Sequence, residues 1–429
     1  MLLSVIVPAR NEEDVLQPCL ESLAAQSSNG FALGRDWELL LVDDHSTDRT
    51  AELARHVPGV TVLEAGPLQP GWTGKANALW GAAGVARGEW LLFTDADTTH
   101  EPGSLERAMR EAEQAHAGLL SYSPRQQVSG FWQRALMPLV FAELALAYPP
   151  ARVSDPASRL AAANGQFLMV RRQAYFAAGG HAAVAHSLLE DVDLARAVKA
   201  SGRKIFFRYG RDAVRTRMYR NFAQLREGWT KNLALLFPSS LKLAALRSGE
   251  FVLIAGGTIS AGLFAISGVL LLPILVGGIA LTLYSAFLIR IRKAHFSWDA
   301  NALAIFGLPF FSYLLLRSRF RHRGGNVNWK GRIYRSSSNA RMNRAGAGES
   351  VSQPIFRPSR ARAFPTTFPR LAPWAAFLRR FAAILGSDIP LSKSKVGCCT
   401  DSVVPTFSAE RRSANHSAPR KEIIRAGTN

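Results

Sequence analysis

The segment Leu91–His100, LLFTDADTTH, is a short apolar run that leads directly into two aspartates separated by one residue. Such a run indicates a buried strand, and Asp often follows a strand because it favours turns. Two carboxylates at a strand end can also hold a divalent cation, since Mg²⁺ and Mn²⁺ prefer oxygen ligands and accept diphosphate oxygens beside them. Asp95 and Asp97 are therefore either turn residues or metal ligands, and the rest of the chain must distinguish the two.

The same strand-and-turn pattern occurs three times before Leu91, with helical stretches in between. We predict strands at Leu2–Ala9, Trp37–Asp44, Val60–Ala65 and Glu89–Asp97, and helices at Glu12–Ala25, Ser46–Val57 and Gly74–Ala86. Near-continuous apolar strands alternating with helices predict an α/β fold with a mostly parallel sheet that is covered on both faces. Ligands of such sheets bind at the carboxyl ends of the strands. We therefore expect Asp43 and Asp44 to lie at the same edge as Asp95 and Asp97.

The net charge of +20 of the 429-residue chain lies entirely in its second part. Residues 1–231 contain 25 Lys and Arg and 25 Asp and Glu, whereas residues 232–429 contain 27 and 7. Basic residues interleaved with long apolar runs predict contact with a membrane surface. Nucleic acid is not expected as a partner, because its binding would place the basic residues on the folded domain. The three cysteines match neither a disulfide framework nor a zinc spacing.

Two apolar segments predict membrane insertion. Phe251–Ile289 has 39 residues without a charge, enough for two helices of about 20 residues each, with a break near Pro273 or Gly277-Gly278. Ala302–Leu316 is shorter, and basic residues follow both segments. The positive-inside rule places both basic clusters on the cytoplasmic side, which predicts a transmembrane hairpin and a short third membrane or re-entrant segment.

The chain is thus divided into six regions. They are a catalytic domain at 1–231, an interfacial connection at 232–250, the transmembrane hairpin at 251–289, the third membrane segment at 302–316, a basic cytoplasmic motif at 317–335 and a disordered basic tail at 336–429. The apolar run before Arg10 is too short for a secretory signal peptide, so we expect it to be the first strand.

Three further features have both a structural and a functional interpretation. Lys75 follows a Gly-flanked turn at a helix start, where it is either an ordinary solvated lysine or a ligand of an anionic phosphate. Glu190 and Asp191 begin another helix, where acidic residues already suit the helix dipole. Arg226 and Trp229 share one helical face, which is also typical of a membrane anchor.

In combination these features resemble the family 2 glycosyltransferases, whose fold is called GT-A, over residues 1–335. The resemblance rests on the order of a basic turn (Pro8–Asp14), an acidic pair, a Gly-Lys turn, Asp-x-Asp, Glu-Asp and Arg-x-x-Trp. Four segments look like the membrane-bound subgroup that glycosylates lipids, such as carotenoid-acid and ceramide-type glucosyltransferases. They are NGQFLMVRR (Asn164–Arg172), GGH (Gly179–His181), RMYRNF (Arg217–Phe222) and NWKGRIY (Asn328–Tyr334).

The resemblance implies a role for each matching residue. The nucleotide-sugar is bound by Pro8, Arg10, Glu12, Asp43, Asp44, Lys75, Asn77 and Asp95. Asp95 and Asp97 engage the ribose and the Mg²⁺ or Mn²⁺ on the diphosphate. Asp191 is the general base beside Glu190, and Arg226 and Trp229 are the catalytic residues of a helix that closes over diphosphate and acceptor. The acceptor side is formed by Asn164, Gly165 and Gln166.

The implied function is an inverting, metal-dependent transfer of a hexose from a UDP-linked sugar to a membrane lipid. The enzyme would be a multi-pass protein of the inner membrane with a cytoplasmic catalytic domain. A processive polysaccharide synthase is an alternative, although Arg-Glu-Gly-Trp at 226–229 replaces its Gln-x-x-Arg-Trp. A nucleotidyltransferase would need neither Asp191 nor the hairpin. A protein that only binds a nucleotide-sugar is the non-enzymatic alternative.

Overall fold

The structure, a computed structural model, describes residues 1–28, 30–267, 271–324, 326–329 and 332–335. The predicted tail at 336–429 and the side chains of the basic motif beyond Gly324 lie outside the described residues. The strands are β1 Leu3–Ala9, β2 Trp37–Asp43, β3 Val60–Glu64, β4 Trp90–Phe93, β5 Thr98–His100, β6 Leu119–Gln126, β7 Leu168–Arg171, β8 Ile205–Thr216, β9 Asn326–Trp329 and β10 Arg332–Arg335. The helices are α1 Leu16–Ala24, α2 Thr50–Arg55, α3 Gly74–Val85, α4 Ser104–Gln114, α5 Gly130–Ala147, α6 Pro150–Ser154, α7 Arg172–Ala177, α8 Gly180–Ala183, α9 Glu190–Ala200, α10 Phe222–Leu236, α11 Ser240–Ile266, α12 Leu271–Ile291 and α13 Trp298–Arg323.

The central sheet has the strand order β3-β2-β1-β4-β7-β6-β8-β5. β1 pairs in parallel with β2 and β4, and β2 with β3, while β7 runs antiparallel to β4 and β6. The register sets Ala9 opposite Asp43, so the carboxyl ends of β1 and β2 coincide. The predicted fold class, an α/β protein with a mostly parallel sheet followed by apolar helices, is confirmed.

Alternate residues of the strands enter two separate cores. Val5 and Leu92 pack on one face of the sheet, whereas Ile6 and Leu91 pack on the other. Both faces are covered by helices, which explains why the strands read as continuous apolar runs rather than as an alternating pattern. The sheet is thereby fixed on both sides, and only its edge at the carboxyl ends of β1, β2 and β4 is free to form a site.

Two predicted boundaries are wrong. The first helix begins at Leu16 rather than Glu12, because the backbone N–H groups of Glu12 and Glu13 bond the side chains of the loop after β2. The break in the hairpin lies between α11 and α12, upstream of both predicted positions. Pro273 stands in the first turn of α12, where its missing N–H would have no intrahelical partner in any case.

Three helices, α11, α12 and α13, are long and apolar enough to cross a membrane by length and composition. Only a small share of the apolar stretches of α11 and α12 is buried, whereas half of that of α13 is buried. α13 extends beyond the predicted segment 302–316 at both ends and packs in one apolar cluster with α5 and α10. It therefore lies against the α/β part of the chain, by which we mean residues 1–236.

Candidate active site

A cavity of about 920 Å³ opens at the carboxyl ends of β1 and β4, between α5, α9 and α10. Most of the residues singled out in the sequence line it. They are Pro8, Arg10, Glu12, Asp44, Lys75, Asp95, Asp97, Asn164, Gly165, Gln166, Glu190, Asp191 and Trp229. Asp43, Asn77 and Arg226 are not among the lining residues. The volume lies within the usual range of ligand pockets, about 300–1,000 Å³.

Lys75 joins two of the acidic groups across the cavity. Thr73 caps α3 by accepting the N–H of Ala76 at 3.2 Å, which orients the first turn. The Lys75 ammonium lies 2.7 Å from a carboxylate oxygen of Asp95 and 2.8 Å from one of Glu190. Burial acts to lower the pKa of Lys75, but the two carboxylates outweigh it and raise the pKa well above its usual value. Lys75 is therefore a permanent cation between strand β4 and helix α9.

Asp191 has a pKa above that of an ordinary carboxylate. One carboxylate oxygen accepts the N–H of Gly165 at 2.8 Å, and the other accepts the N–H of Val192 at 2.8 Å. Burial, and then the charge of Glu190, raises the pKa of Asp191 to about 6. The pKa of Glu190 itself is lowered: burial opposes this, but the charge of Lys75 outweighs it. Asp191 can thus bind and release a proton close to neutral pH.

Gly165 allows this close approach. A Cβ at position 165 would lie 3.2 Å from the Lys75 nitrogen and 3.5 Å from the Asp191 side chain. The backbone N–H of Gly165 therefore reaches the Asp191 carboxylate directly, whereas a side chain at position 165 would crowd Lys75 and Asp191. The predicted acceptor-side segment Asn164–Gln166 is therefore also the support of the predicted base.

Asp97 lies beside Gln166 and Thr216. The Thr216 hydroxyl donates to the carbonyl of Asp97 at 3.2 Å, and the amide of Gln166 donates to that hydroxyl at 3.1 Å. The buried amide oxygen of Gln166 has no hydrogen-bond partner among the described residues. Strand β8 and the acceptor-side segment thus fix the backbone that carries the Asp-x-Asp.

The residues present fit a divalent cation only in part. Within the described ranges, no group of three His, Cys, Asp or Glu side chains could hold a metal ion by itself. The carboxylates of Asp95 and Asp97 both line the cavity. Mg²⁺ often uses only one or two carboxylates and takes its remaining ligands from substrate phosphates and water. The donor set therefore suits a cation that arrives with a diphosphate.

Arg10 and Asp44 form the far end of the cavity. The Arg10 guanidinium donates to the backbone carbonyl of Asp44 at 2.6 Å and lies 4.0 Å from its carboxylate. Asp43 accepts the N–H of Ser46, and Asn77 donates to the carbonyl of Gly66 at 2.9 Å. Asp43 and Asn77 thus support the loops behind the cavity instead of lining it.

Helix α10 presents a different face to the cavity than the sequence suggested. Arg226 is exposed and outside the lining, whereas Trp229 is buried and donates its indole N–H to the sulfur of Met137. Lys231 lines the cavity instead. Burial lowers its pKa, against the opposing charges of Glu190 and Asp191. Lys231 lies one helical turn after Glu227 and Gly228, which also line the cavity. Arg226 and Trp229 alone did not reveal which face of the helix points to the cavity.

Two more cations and an apolar wall complete the cavity. Arg217 and Arg220 line it, and Arg220 forms an ion pair with Asp14 at 2.6 Å. Both lie in the segment RMYRNF, to which the sequence gave no individual roles. The apolar wall comes from α5 and the end of α10 and consists of Phe141, Leu144, Ala145, Tyr148 and Leu236. The site therefore combines an acidic and basic floor with an apolar side.

Comparison with known proteins shows a similarity to glycosyltransferases. Residues 4–176 match the family model described as glycosyl transferase family 2. A 4,4'-diaponeurosporenoate glycosyltransferase of Staphylococcus haemolyticus (strain JCSC1435) is 30% identical over 251 residues, which cover 54% of this chain and 61% of that protein. The protein of the same name from Staphylococcus aureus (strain MRSA252) is 27% identical over 348 residues, or 77% of this chain and 88% of that one.

Among solved structures, the mannosyltransferase PcManGT of Pyrobaculum calidifontis, in complex with GDP-Man and Mn²⁺, is similar with a TM-score of 0.45. It is 18% identical, and the match covers 74% of this chain and 86% of that one. The family match ends at residue 176, within α7, and so contains β1 to β7 and the Asp-x-Asp. The amino-terminal part of the chain, residues 4–176, is therefore similar to the glycosyltransferases of family 2.

Proposed function

We propose that the chain transfers one sugar, a hexose, from a UDP-linked donor to a membrane lipid, with inversion and with the help of Mg²⁺ or Mn²⁺. The observation that carries the proposal is the Asp191 carboxylate, held by Gly165 in the same cavity as Lys75, Asp95 and Asp97. An apolar wall faces these charges. The relatives whose names give a carotenoid acid as substrate support a lipid-like acceptor.

The donor would lie along the strand ends. Asp44 and Arg10, which line the cavity with Pro8, would hold the nucleoside, and Lys75, Lys231 and the Asp-x-Asp would bind its diphosphate. Mg²⁺ or Mn²⁺, held by Asp95 and Asp97, would neutralise charge on the diphosphate leaving group. Lys75, which is paired with Asp95, and Lys231 would add two positive charges that stabilise the charge developing on the leaving oxygen.

The acceptor would approach from the apolar wall. As its hydroxyl oxygen forms a bond to C1 of the sugar, the bond from C1 to the diphosphate breaks and the electron pair leaves with the nucleoside diphosphate. Asp191 takes the hydroxyl proton, as a positioned base can. A single displacement from the face opposite the leaving group inverts the configuration at C1. With a carboxylate acceptor, which is already ionised, the same displacement needs no base.

Membrane attachment is supported by the exposed apolar side chains of α11 and α12, since soluble proteins rarely expose large contiguous apolar patches. Basic residues occur at Arg290–Lys293 and at the end of α13. The positive-inside rule favours the cytoplasmic face of the inner membrane for both of these basic clusters. The α/β part would then lie in the cytoplasm as the catalytic domain, 1–231, with the hairpin as its anchor. The connection at 232–250 includes the end of α10 and the start of α11.

The test uses membranes from cells that express the full chain, Mn²⁺ or Mg²⁺, a panel of nucleotide-sugars and the total lipid extract of the host. Mass spectrometry is expected to find a lipid that gains one hexose, and the product should disappear with a chelator. A ladder of hexoses would indicate a polysaccharide synthase, and release of pyrophosphate would indicate a nucleotidyltransferase. Donor binding without any product or nucleoside diphosphate would contradict the proposal.

A further inference from the structure

An aromatic surface covers the outer side of three helices where α13 meets the α/β part. It consists of Phe131 and Trp132 on α5, Phe222 on α10, and Phe306, Phe310 and Tyr313 on α13. Their rings form a connected ladder, with centroid distances of 5.3 Å between Trp132 and Phe310 and 5.2 Å between Phe222 and Phe310. Phe306 is 57% exposed and Trp132 44%. A soluble protein rarely leaves such a patch uncovered.

The exposed face of α13 continues this surface along the helix. Phe306, Pro309, Tyr313, Leu316 and Phe320 follow one another at helical spacing, and all five are exposed. From Phe306 to Phe320 the stripe measures about 21 Å at the rise of an α-helix. The hydrocarbon core of a bilayer is about 30 Å thick. The stripe is therefore too short for a span, although the whole helix is long enough.

Both ends of α13 are bound to the α/β part by polar contacts. Near its start, Asp299 forms an exposed ion pair with Arg134 at 3.1 Å, and Gly307 packs against the carbonyl of Ala135. Near its end, the Ser318 hydroxyl accepts the N–H of Ala234 at 2.9 Å, and a ring nitrogen of His322 lies 2.8 Å from the carbonyl of Lys231. Since the ion pair of Asp299 and the polar contacts of Ser318 and His322 all join α13 to the α/β part, we infer that both ends of α13 lie on one side of a bilayer.

Most of the exposed charges beside the surface are basic, the acidic exception next to them being Glu227, which also lines the cavity. Arg226 on α10 and Arg321 and Arg323 on α13 are exposed, while Asp299 is paired with Arg134. Aromatic rings prefer the boundary between headgroups and acyl chains, and basic residues at that depth attract anionic lipids. The occupant that suits both properties is the surface of an anionic membrane.

We propose that the aromatic surface docks into the headgroup layer of an anionic membrane, with α13 parallel to the bilayer plane. Only α11 and α12 then cross the membrane, and the cavity is held at the level of the headgroups. This inference rests on the membrane attachment proposed above, but it does not depend on the reaction.

The experiment measures the depth of single nitroxide labels in the full chain, reconstituted into vesicles of phosphatidylcholine and phosphatidylglycerol. Cys398 and Cys399 are first replaced by Ser, and labels are attached to Phe306→Cys, Tyr313→Cys and Phe320→Cys. Ile259→Cys and Leu263→Cys, on the exposed face of α11, are the matched controls. Accessibility to oxygen and to a nickel complex, measured by EPR, gives the depth of each label.

We expect the three α13 labels at one common depth, within about 5–10 Å of the headgroup boundary, and the α11 labels deeper. Replacing phosphatidylglycerol by phosphatidylcholine should make the α13 labels at least about twofold more accessible to the nickel complex, since their depth depends on charge. A label at 313 that lies deep between shallow labels at 306 and 320 would overturn the proposal in favour of a span. Full water accessibility at all three, or spin coupling between copies, would overturn it in favour of solvent or a second copy. If the control labels at positions 259 and 263 lie outside the lipid, the membrane attachment itself is contradicted. This outcome does not depend on whether the protein transfers a sugar.

Discussion

At the scale of single residues, the proposed reaction depends most on Asp191. Its two carboxylate oxygens accept backbone N–H groups, and burial raises its pKa. We expect Asp191→Asn to lower the rate of transfer to a hydroxyl acceptor by about 10²–10⁴-fold, the usual contribution of a general base. Donor binding should change by less than about twofold, since the Asp-x-Asp and Lys75 remain. Equilibrium binding of the nucleotide-sugar and single-turnover rates separate the two effects, and weakened donor binding would contradict the assignment.

The pH dependence of the reaction is a second prediction at this scale. The pKa of Asp191 is raised to about 6, so the carboxylate becomes protonated as the pH falls through that value and can no longer accept a proton. We expect kcat/KM with a hydroxyl acceptor to fall about tenfold per pH unit below pH 6 and to level off above about pH 7. With this hydroxyl acceptor, a profile that stays flat down to pH 5 would mean that the base lies elsewhere.

Lys231 and Arg226 offer a matched pair on one helix. Lys231 lines the cavity near Glu190 and Asp191, whereas Arg226 is exposed outside it. We expect Lys231→Ala to lower kcat by about 10–100-fold through lost stabilisation of the leaving group, and Arg226→Ala to change it by less than about twofold. Steady-state kinetics of both variants at saturating donor give the answer. The reverse order would restore the role that the sequence resemblance implies for Arg226.

The residue-scale predictions from sequence succeeded where a strand fixed the position. Asp43, Asp44, Asp95 and Asp97 were expected at one edge because strands of a parallel sheet end together. Asp44, Asp95 and Asp97 line the cavity, whereas Asp43 does not. Arg226 and Lys231 could not be told apart in the same way. The orientation of α10 depends on which of its faces packs against α5 and α13, and that packing has no local signature.

Glycine 307 is the point of closest approach between two helices, which makes it the clearest test at the element scale. A Cβ there would collide with the backbone carbonyl of Ala135 in α5, whereas a Cβ at Gly262 in α11 would meet nothing within 4 Å. We expect Gly307→Ala to lower the free energy of unfolding by about 1–3 kcal/mol, as overpacking usually does. Gly262→Ala should be neutral or slightly stabilising, since Ala favours a helix. Thermal unfolding of both variants in detergent provides the comparison, and equal midpoints would show that α13 packs less closely on α5.

Helices and strands could be predicted from sequence where the apolar pattern lies within one short segment of the chain. Strands β1 to β4 and helix α3 lie within a few residues of their predicted bounds. The antiparallel insertion of β7 between β4 and β6 depends on pairing between distant segments and was not predicted. The break before Leu271 was misplaced because Pro and Gly were treated as breakers, although Pro273 stands in the first turn of a helix, where it is tolerated.

At the scale of the whole molecule, the α/β part and the hairpin are joined by a buried cluster of charges. Arg247 on α11 lies 2.8 Å from Glu143 on α5 and 2.9 Å from Glu250, and Arg290 on α12 lies 2.8 Å from Glu250. Arg247 and Glu143 are both buried. The cluster stands near the start of α11 and the end of α12, so it ties both ends of the hairpin to one helix of the catalytic cavity. The sequence showed the charge asymmetry of the chain but not that these four residues meet.

The last prediction concerns this junction. Glu143→Gln would leave Arg247 and Arg290 with one carboxylate between them, and breaking a buried ion pair on one side costs about 3–5 kcal/mol. Glu106→Gln breaks the exposed pair of Glu106 with Arg110, which should cost less than about 1 kcal/mol. We expect a clearly lower thermal midpoint for the full-length Glu143→Gln protein in detergent and an almost unchanged one for Glu106→Gln. If Glu143→Gln is as stable as the control, the hairpin must be held by its apolar contacts with α5 and α13 alone, and the charges would serve only to place that end of the hairpin at the membrane surface.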